Sequence, residues 1–538
     1  MEFELRITIK LNSTLKRNQY TLTKKVIKIS KVKEAYSEIE NVVGEDYITD
    51  KDFMKAAYSR NVDPAFPDRW ADMIVRPEST EEVSEIVKIA NKYKIRMVPR
   101  GGGADLVGGS VTEGGILIDL TRMNQVIEFN KDDYYIVVGC GITWGALISH
   151  LHPTGYTTGI IGPGSGFSAT IGGGLSNSTA GGGSTKYGLV PDICLGVEVV
   201  LPNPEGTIIR TGSAANKYAK PFCRYGVSPD FTGLFMGDVG TMGIKCKAFL
   251  RLFPDPPYKQ ARMYVLNKED YNKVFELTHK IRHEINEGLR DLSVLPAILI
   301  QMAATQYHQR TGERIKARGP LMNITIETME ESTLELKLEK LAKIMENDAV
   351  QVPGSLINPE FDDEPKFGYD LEGTFHFFQA SISPTPSQMG MATCHKIPIS
   401  HMGEVYNKII DFSKKHASEM QGAIYPGIFA SMLYFLPNGN YVVLGQATGK
   451  NVEEEREKNM ERWHKKIRHQ VRYGGAHYWL GESISQSLTE AGAYTPEYEQ
   501  FFRDMKKTVD PNYLLSPNKF HLHTYDSKFK DYYVEEED

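Results

Sequence analysis

The sequence predicts a two-domain α+β protein, and three observations lead to that prediction. Short apolar strands alternate with amphipathic helices up to residue 253, and the proline run at 254–257 then interrupts the chain. Longer polar helical patterns with isolated strands follow that interruption. Between these features, one third of residues 153–188 are glycine, a density that folded proteins keep where backbone must approach something closely.

Composition narrows the class of protein. A chain of 538 residues is too long for one ordinary hydrophobic core, so more than one domain is expected. A content of 41% hydrophobic and 24% charged residues is typical of a soluble globular protein. The net charge of -6 argues against a nucleic-acid or anionic-membrane partner. The five cysteines form no CxxC pair, which favours a reducing compartment. It also argues against a zinc site or an iron–sulfur cluster. Without a transmembrane run or a signal-peptide core, the cytoplasm is the expected location.

The first half reads as alternating helices and strands after a Lys-rich extension at 1–40, whose role stays open. Ser79 and Glu82 form a capping box, and the apolar spacing from Val83 to Tyr93 predicts a helix. A further helix is expected at 142–152. Strands are expected at 95–98, 116–120, 135–138, 195–201, 207–210 and 245–253.

The second half predicts helices packed on one face of an antiparallel sheet. Helical patterns occupy 268–287, 330–347 and 452–470, and candidate strands occupy 321–326, 373–380 and 441–445. A closing helix at 496–508 precedes an acidic tail at 534–538, which we expect to be solvated.

The glycine-rich stretches predict a ligand cradle. No GxGxxG follows a strand, and GxxxxGK[ST] and GxSxG are absent, which excludes the usual nicotinamide, Walker and serine-hydrolase motifs. Two glycine-rich loops, at 101–109 and 155–188, are separated by strand, loop and strand. Successive bare amides bind phosphate, so two such loops suit a long ligand with a central pyrophosphate. Apolar anchors such as Ile160 and Tyr187 argue against a flexible linker.

Five segments, in order, resemble a known family. PRGGGADLVGG, ATIGGGLSNSTAGGGSTKYG, LGVEVVLP, LFMGDVGTMGI and VDPNYLLSPNKF resemble the FAD-linked oxidoreductases of the vanillyl-alcohol-oxidase / p-cresol-methylhydroxylase superfamily. The glycine loops are most similar to the glycolate oxidase and D-lactate dehydrogenase branch. The resemblance covers about 50–253 and the segment near 510. It implies a two-subdomain FAD-binding domain of the p-cresol-methylhydroxylase type at 41–256, an α+β substrate (cap) domain with an antiparallel sheet at 257–487, and a C-terminal segment at 488–538 that returns to the FAD domain.

The same resemblance assigns the FAD site. Close to the pyrophosphate it places Arg100, Gly101, Gly102, Gly103, Gly108, Gly109 and Ser110. Along the rest of the cofactor it places Thr170, Gly172, Gly173, Asn177, Gly182, Lys186 and Tyr187. Gly243 and Ile244 are expected on the adenine side, through their backbone. The remaining cofactor-binding residues are Pro99, Pro163, Gly164, Ser168 and Asn518.

The flavin is expected to be non-covalent. Ala104 follows the first glycines where one linkage pattern of the family has a histidine. His395 and Tyr425 are the alternative attachment sites. No metal is expected either, because the HxxGDGNxH run of the 2-hydroxyacid branch is replaced by YFLPNGNYVV at 434–443.

The substrate site is predicted in the stretch 472–482, which gathers aromatic, basic and glycine residues. His477 is the candidate general base, because the ordinary pKa of histidine suits proton removal at neutral pH. Tyr473 and Tyr478 are candidates to orient a phenolate or carboxylate, and Arg472 to pair with an anion. A packed interior role is the alternative for His477, and His376 is the second candidate base.

The expected function is an FAD-dependent dehydrogenase or oxidase. It would take hydride from a small hydroxy acid, alcohol or 4-substituted phenol onto flavin N5 and pass the electrons to a separate acceptor, with an electron-acceptor protein as a candidate partner. The protein is expected to form a homo-oligomer and not to bind nucleic acid. Two alternatives stay open: a transferase similar to alkylglycerone-phosphate synthase, and a non-catalytic flavin subunit of an electron-transfer complex.

Overall fold

The structure is a computed structural model that describes residues 30–59, 69–105, 107–163, 166, 168–316, 318–357, 388–415, 430–450, 452–472, 474–478, 481, 485, 488, 491–517 and 519–520. Several predictions fall outside these residues: the strand at 373–380, His376, Tyr425, Tyr473, Gly164 and Asn518. Most of the extension at 1–40 also lies outside them, but residues 30–43 form helix α1.

The first subdomain is built on a four-stranded sheet in the order β1-β2-β4-β3. Its elements after α1 are β1 (Ile48–Thr49), α2 (Asp52–Ser59), β2 (Met73–Val75), α3 (Thr80–Tyr93), β3 (Met97–Arg100) and β4 (Ile116–Asp119). Strands β2 and β3 both pair with β4 in parallel. The predicted cap of α3 is confirmed, because the Ser79 hydroxyl accepts the Glu82 N–H at 3.1 Å.

The second subdomain is an antiparallel sheet in the order β5-β6-β10-β8-β9. Its elements are β5 (Val126–Asn130), β6 (Tyr135–Gly139), α4 (Trp144–Leu151), β7 (Tyr156–Thr157), α5 (Ile171–Ser176), α6 (Ser184–Tyr187), β8 (Cys194–Val200), β9 (Ile208–Arg210), β10 (Ile244–Arg251) and β11 (Phe253–Pro254). Val200, Ile244 and Cys246 belong to the same buried core as the first sheet, so the two subdomains share that core.

The remaining sheet has eight strands in the order β15-β12-β14-β13-β17-β18-β16-β19. Along the chain its elements are β12 (Tyr258–Leu266), α7 (Tyr271–Ile285), β13 (Leu289–Leu295), α8 (Ala297–Thr311), β14 (Leu321–Thr328), α9 (Glu331–Met345), β15 (Ala349–Val352), β16 (Gln388–Pro398), α10 (Ile399–Lys415), β17 (Ala430–Phe435), β18 (Asn440–Lys450), α11 (Glu453–Arg472) and β19 (Ala476–His477). We call it the cap sheet.

The two faces of the cap sheet differ in what they contact. Successive side chains alternate between faces, and directly paired residues share one. Val294, Ile324 and Val443 pack with α7, α9 and α10 in one core, which makes theirs the helix face. The opposite face carries Asp291, Ser293, Asn323, Thr325 and Glu327. We call it the loop face, because Asp291 and Glu327 bond to the second glycine loop.

The chain ends against the first subdomain. Helix α12 (Pro496–Val509) begins at Thr495, whose hydroxyl accepts the Tyr498 N–H at 3.2 Å. After it, the Met97 N–H donates to the Leu514 carbonyl, and the Ser516 N–H donates to the Met97 carbonyl, each at 2.8 Å. The C-terminal segment therefore extends the first sheet beside β3.

Helix length and polarity bear on membrane topology. Within the described ranges, no helix is both long and apolar enough to cross a bilayer.

Candidate functional site

The two glycine-rich loops touch each other. A Cβ on Gly101 would lie 2.0 Å from the Thr170 hydroxyl, and one on Gly102 would lie 2.4 Å from the Ser168 carbonyl oxygen. Neither position accepts a side chain unless the partner loop moves. Part of the glycine content therefore brings the two predicted cofactor loops together.

An aspartate that sequence reasoning missed organises the first loop. The Asp105 carboxylate accepts the Gly109 N–H at 2.7 Å and the Val107 N–H at 3.3 Å, and it also accepts the Ser110 hydroxyl. Asp at the start of a Gly-containing turn is the signal that could have revealed it. Asp105 thus sets the positions of Gly109 and Ser110.

Two basic residues, Arg100 and Lys519, donate hydrogen bonds to backbone carbonyls of the same loop. Arg100 donates to the Ser110 carbonyl at 3.2 Å, with its guanidinium 5.3 Å from the Tyr58 ring. Lys519 donates to the Gly109 carbonyl. Gly103 has φ +65°, and a Cβ there would lie 2.2 Å from the Arg100 guanidinium. The Arg100 side chain is therefore engaged within the loop, where it was expected to wrap the pyrophosphate.

The second loop folds back on itself as two paired arms. The Ile161 N–H donates to the Gly182 carbonyl at 2.9 Å, and Pro163 bridges to Gly181. A Cβ on Gly181 would lie 1.6 Å from the Gly162 carbonyl oxygen. The arms 159–163 and 181–187 thus pack backbone against backbone.

Helix α5 lies between those arms and carries several predicted cofactor residues. Its N-cap Thr170 accepts the Gly173 N–H at 3.3 Å, and the Asn177 amide donates to the Gly173 carbonyl at 3.2 Å. A Cβ on Gly172 would press on Cys140 at 2.9 Å, whereas one on Gly173 would meet only the Thr170 hydroxyl at 3.3 Å. Gly173 therefore has open space beside it, while Gly172 is needed for packing.

The two residues predicted on the adenine side, Gly243 and Ile244, are packed into the protein. Gly243 packs against Val199, where a Cβ would come within 2.3 Å, and the Ile244 side chain is buried in the shared core. Pro99 is half-buried against Gly240.

These residues fit an FAD molecule. Within the described residues, the N–H groups of Gly102 and Gly103 have no hydrogen-bond acceptor, so they are available to an anion. The Asn177 Oδ1 atom is buried without a partner. Beside it, a Cβ on Gly173 would have only the Thr170 hydroxyl within 4 Å. Bare donors, an unpaired amide oxygen and an open cradle together suit a diphosphate joined to a polar ring.

The stretch at 472–482 does meet both loops, but through residues other than His477. The Ala180 N–H donates to the Tyr478 hydroxyl at 2.5 Å. A Cβ on Gly481 would lie 1.6 Å from the Val107 carbonyl oxygen in the first loop. The Lys396 ammonium lies 5.2 Å from the centre of the Tyr478 ring. Arg472 is exposed at the end of α11.

His477 lies on the other face of the cap sheet. It pairs with His395, which pairs with Val443 of the helix face. The two histidine rings meet edge to face at 4.8 Å. His477 as a whole is partly exposed, but both its ring nitrogens are buried without a hydrogen-bond partner, and burial lowers its pKa to about 3.

This placement supports the packed-interior alternative for His477 over the general base. His395, one of the two predicted alternative attachment sites, lies on the same helix face as His477, opposite the face that contacts the second glycine loop. A strand of two residues carries too little periodicity in the sequence to show which face each side chain takes.

A buried group of charges joins the second loop to the cap sheet. Glu327 accepts the Lys186 ammonium at 2.7 Å, the Tyr187 hydroxyl at 2.6 Å and the Arg290 guanidinium at 2.7 Å. Both carboxylate oxygens of Asp291 accept the Gly183 N–H at 2.8 Å. We call Lys186, Tyr187, Arg290, Asp291 and Glu327 the interface cluster. Lys186 and Tyr187 were expected along the cofactor, and the structure ties their polar ends to Glu327.

Burial and pairing shift the two carboxylates of the cluster in opposite directions. Burial raises the pKa of Asp291 to about 7, which Arg290 and the Gly183 N–H only partly offset. Burial also acts to raise the pKa of Glu327, but Arg290 and Lys186 outweigh it and lower that pKa to about 2. Glu327 is therefore ionised at neutral pH, whereas Asp291 titrates near it.

Metal-ligating side chains do not gather at this site. In the part of the chain that the structure describes, no group of three or more His, Cys, Asp or Glu residues is placed to hold a metal ion.

Comparison with known proteins bears on the glycine loops first. Residues 71–212 match the family model described as an FAD binding domain. The chain contains an FAD-binding domain. That match includes both glycine loops and confirms the prediction that the cofactor is FAD.

Curated relatives agree with the resemblance found in the sequence. Glycolate oxidase subunit GlcD of Bacillus subtilis is 32% identical over 241 residues, which is 44% of this chain and 48% of that protein. Probable mitochondrial D-lactate dehydrogenase of Danio rerio is 31% identical over 43% of this chain and 44% of its own length. The match thus spans about half the length of these two relatives. Mitochondrial D-lactate dehydrogenase [cytochrome] of Arabidopsis thaliana is 25% identical over 83% of this chain and 73% of its own.

Solved structures confirm the predicted fold class. Substrate-bound p-cresol methylhydroxylase superposes with a TM-score of 0.74 at 17% identity, over 91% of this chain and 96% of that one. For 4-ethylphenol oxidase from Gulosibacter chungangensis the TM-score is 0.73 at 18% identity, over 91% and 97%. Alkyldihydroxyacetonephosphate synthase gives 0.69 at 18% identity, over 90% and 86%. The fold is therefore of the p-cresol-methylhydroxylase type.

Proposed function

We propose that this protein is an FAD-dependent oxidoreductase that takes hydride from a small hydroxy acid, alcohol or 4-substituted phenol and passes the electrons to a separate acceptor. The observation that carries the proposal is the FAD-binding match over residues 71–212, whose two glycine loops meet the cap sheet. The names of the curated relatives, glycolate oxidase and D-lactate dehydrogenase, support the donor class. The cytoplasmic location, the acceptor and the oligomeric state stay predictions.

The chain's own residues would hold the cofactor mainly through backbone. Bound FAD would supply the acceptor for a hydride. The free N–H groups of Gly102 and Gly103 would hold its pyrophosphate, and the opening beside Gly173 would leave room for the ring system. The cap sheet would cover the ring and exclude water, because Tyr478 and Gly481 press against both loops.

The loop face offers groups for an anionic, oxygen-bearing substrate. The Tyr478 hydroxyl accepts the Ala180 N–H, which places this phenol beside the second glycine loop. Lys396 places positive charge beside that ring. Asn323 and Thr325 are buried, and their side-chain polar atoms have no partner within the described residues. A hydroxy acid or a phenolate would complement this combination of charge and neutral donors.

Two alternatives predict different behaviour. A transferase would retain FAD that cycles without net reduction, and an electron-transfer subunit would bind FAD but oxidise no donor by itself. The structural similarity to alkyldihydroxyacetonephosphate synthase does not favour the first, because at 18% identity it shows the fold alone.

The test is purification followed by anaerobic titration. We expect a yellow protein whose absorbance at about 450 nm bleaches with D-lactate, glycolate or a 4-alkylphenol. Acid precipitation should release the FAD into the supernatant, since Ala104 stands beside Gly103 and His395 lies on the helix face. A colourless protein that takes up no FAD would overturn the proposal, and bound flavin that none of these donors bleaches would overturn the donor class.

A further inference from the structure

We infer that Arg290, Asp291 and Glu327 of the cap sheet are positioning residues for the flavin site. They hold the second glycine loop in the shape that receives the cofactor, without touching the cofactor themselves. This inference rests on the proposed placement of FAD against that loop. It assigns to the cap domain a share of cofactor binding that the FAD-binding match at 71–212 does not include.

The cap sheet grips the loop at three places. Arg290 donates to the Gly159 carbonyl at 3.3 Å, at the start of the first arm. Asp291 accepts the Gly183 N–H in the second arm, and Glu327 holds Lys186 and Tyr187 at its end. Both arms are thereby fastened to two neighbouring strands, β13 and β14.

The grip falls where the two arms approach most closely. Gly159 and Gly183 both have positive φ, at 79° and 91°. A Cβ on Gly183 would lie 2.0 Å from the Gly159 carbonyl oxygen. Arg290 bonds one of these glycines and Asp291 bonds the other, so the cap sheet fixes the separation of the arms. Helix α5 and Gly173 lie in the chain between them.

Glu327 is the centre of this arrangement. Its carboxylate accepts three side-chain donors, and its side chain and that of Arg290 are 0% and 4% exposed. Two cations and two carboxylates make up the charges of the cluster, so loss of one carboxylate leaves a buried cation without its partner. The arms would then separate or admit water, and the cradle between them would lose its shape.

The test measures FAD affinity of the full-length protein after removal of its flavin. Glu327→Gln should raise the FAD dissociation constant by at least about tenfold, the factor that corresponds to one lost hydrogen bond to a charged group. Visible circular dichroism of the flavin should change as well, because the ring would sit differently. The matched control is Asp230→Asn, which breaks the Arg224–Asp230 pair (2.8 Å) in the FAD domain but outside both glycine loops. It should lower stability without changing FAD affinity.

A milder substitution keeps the inference testable if Glu327→Gln does not fold. Tyr187→Phe removes one hydroxyl that donates to Glu327 and nothing else. It should weaken FAD binding by a smaller factor and perturb the same spectrum. Where Glu327→Gln does fold, the effect of Tyr187→Phe in the double variant should be much less than additive, because both changes remove the same contact.

The outcomes separate this inference from the proposed function. If the wild-type protein binds no FAD, the proposed function fails first. If it binds FAD and both variants bind it with wild-type affinity and spectrum, the positioning role is wrong while the proposed function stands. An equal loss of affinity in Asp230→Asn would also overturn the inference, because it would reduce the effect to general destabilisation.

Discussion

Single glycines in the two loops serve different purposes, and geometry separates them. Gly102 and Gly181 face backbone oxygens of a neighbouring segment, where a Cβ would come within 2.4 and 1.6 Å. Gly173 faces only the Thr170 hydroxyl at 3.3 Å, and Gly174 makes ordinary contacts at 3.5 Å and beyond. Part of the glycine-rich composition is therefore a packing requirement, and at Gly173, where packing makes no such demand, we propose that the cofactor requires it.

Gly173→Val should abolish flavin retention more than it harms folding. Its side chain would enter the opening that we assign to the cofactor. The measurement is the ratio of flavin to protein absorbance, together with the midpoint of thermal unfolding. Gly174→Ala is the neighbouring control and should keep both the flavin and the fold. Full flavin occupancy in Gly173→Val would show that the central loop is misassigned.

Asp291 should make stability depend on pH. Its pKa is raised to about 7 in the folded protein, above the roughly 3.9 of an unfolded chain, so the folded state binds the extra proton. Stability should therefore fall as pH rises from about 4 to 7. Asp291→Asn should remove this decline, because asparagine does not titrate while its amide oxygen still accepts the Gly183 N–H. Glu327, with its pKa lowered to about 2, makes stability depend on pH only in acid, where stability falls as the pH drops below about 4. Identical unfolding midpoints across pH 5–8 in wild type and Asp291→Asn would contradict this expectation.

At the scale of elements, capping residues and apolar periodicity predicted those helices and strands that local interactions determine. Helix α3 begins at the residue after Ser79, because the cap and the apolar face agree. Strand β13 was not predicted, because Arg290 and Asp291 interrupt its apolar pattern. Their partners in the second glycine loop, Gly159 and Gly183, lie more than a hundred residues away, so no local window shows that these charges are buried. Five ordered motifs located the cofactor loops, but strand pairing alone revealed which face His477 takes.

His477 ends strand β19 on the helix face, and Tyr478, the next residue, contacts the second glycine loop, so we expect the two residues to have different roles. His477→Asn should lower the unfolding midpoint and leave the rate of flavin reduction near that of wild type. With its pKa lowered to about 3, His477 should contribute no change in rate near pH 6.5. Tyr478→Phe should slow flavin reduction, because it removes the hydroxyl that accepts the Ala180 N–H. Stopped-flow reduction across pH 5–8 distinguishes the two. A rate loss of about 10²-fold or more in His477→Asn with intact flavin would restore the general-base hypothesis.

At the scale of the molecule, the C-terminal segment closes the FAD domain after the cap domain has been inserted. The Lys506 ammonium donates to the Thr241 carbonyl at 2.6 Å and to the Leu515 carbonyl at 2.9 Å, and it pairs with Asp510 at 2.6 Å. Asp510 in turn accepts the N–H groups of Leu514 and Leu515. One buried lysine thus joins the turn at Thr241 to the returning segment.

Lys506→Met should destabilise the whole fold, because it leaves the buried Asp510 carboxylate without its cation. The expected cost is about 3–5 kcal/mol, the range for breaking one partner of a buried pair. Lys88→Met, which breaks an exposed pair with Glu85, should cost less than about 1 kcal/mol. Chemical unfolding followed by flavin release and by tryptophan fluorescence should show both signals lost together in Lys506→Met, because the segment it secures contacts the first sheet directly. An unfolding midpoint equal to that of Lys88→Met would mean that the returning segment docks through its other contacts, such as Ser516 with Met97, without help from the buried pair.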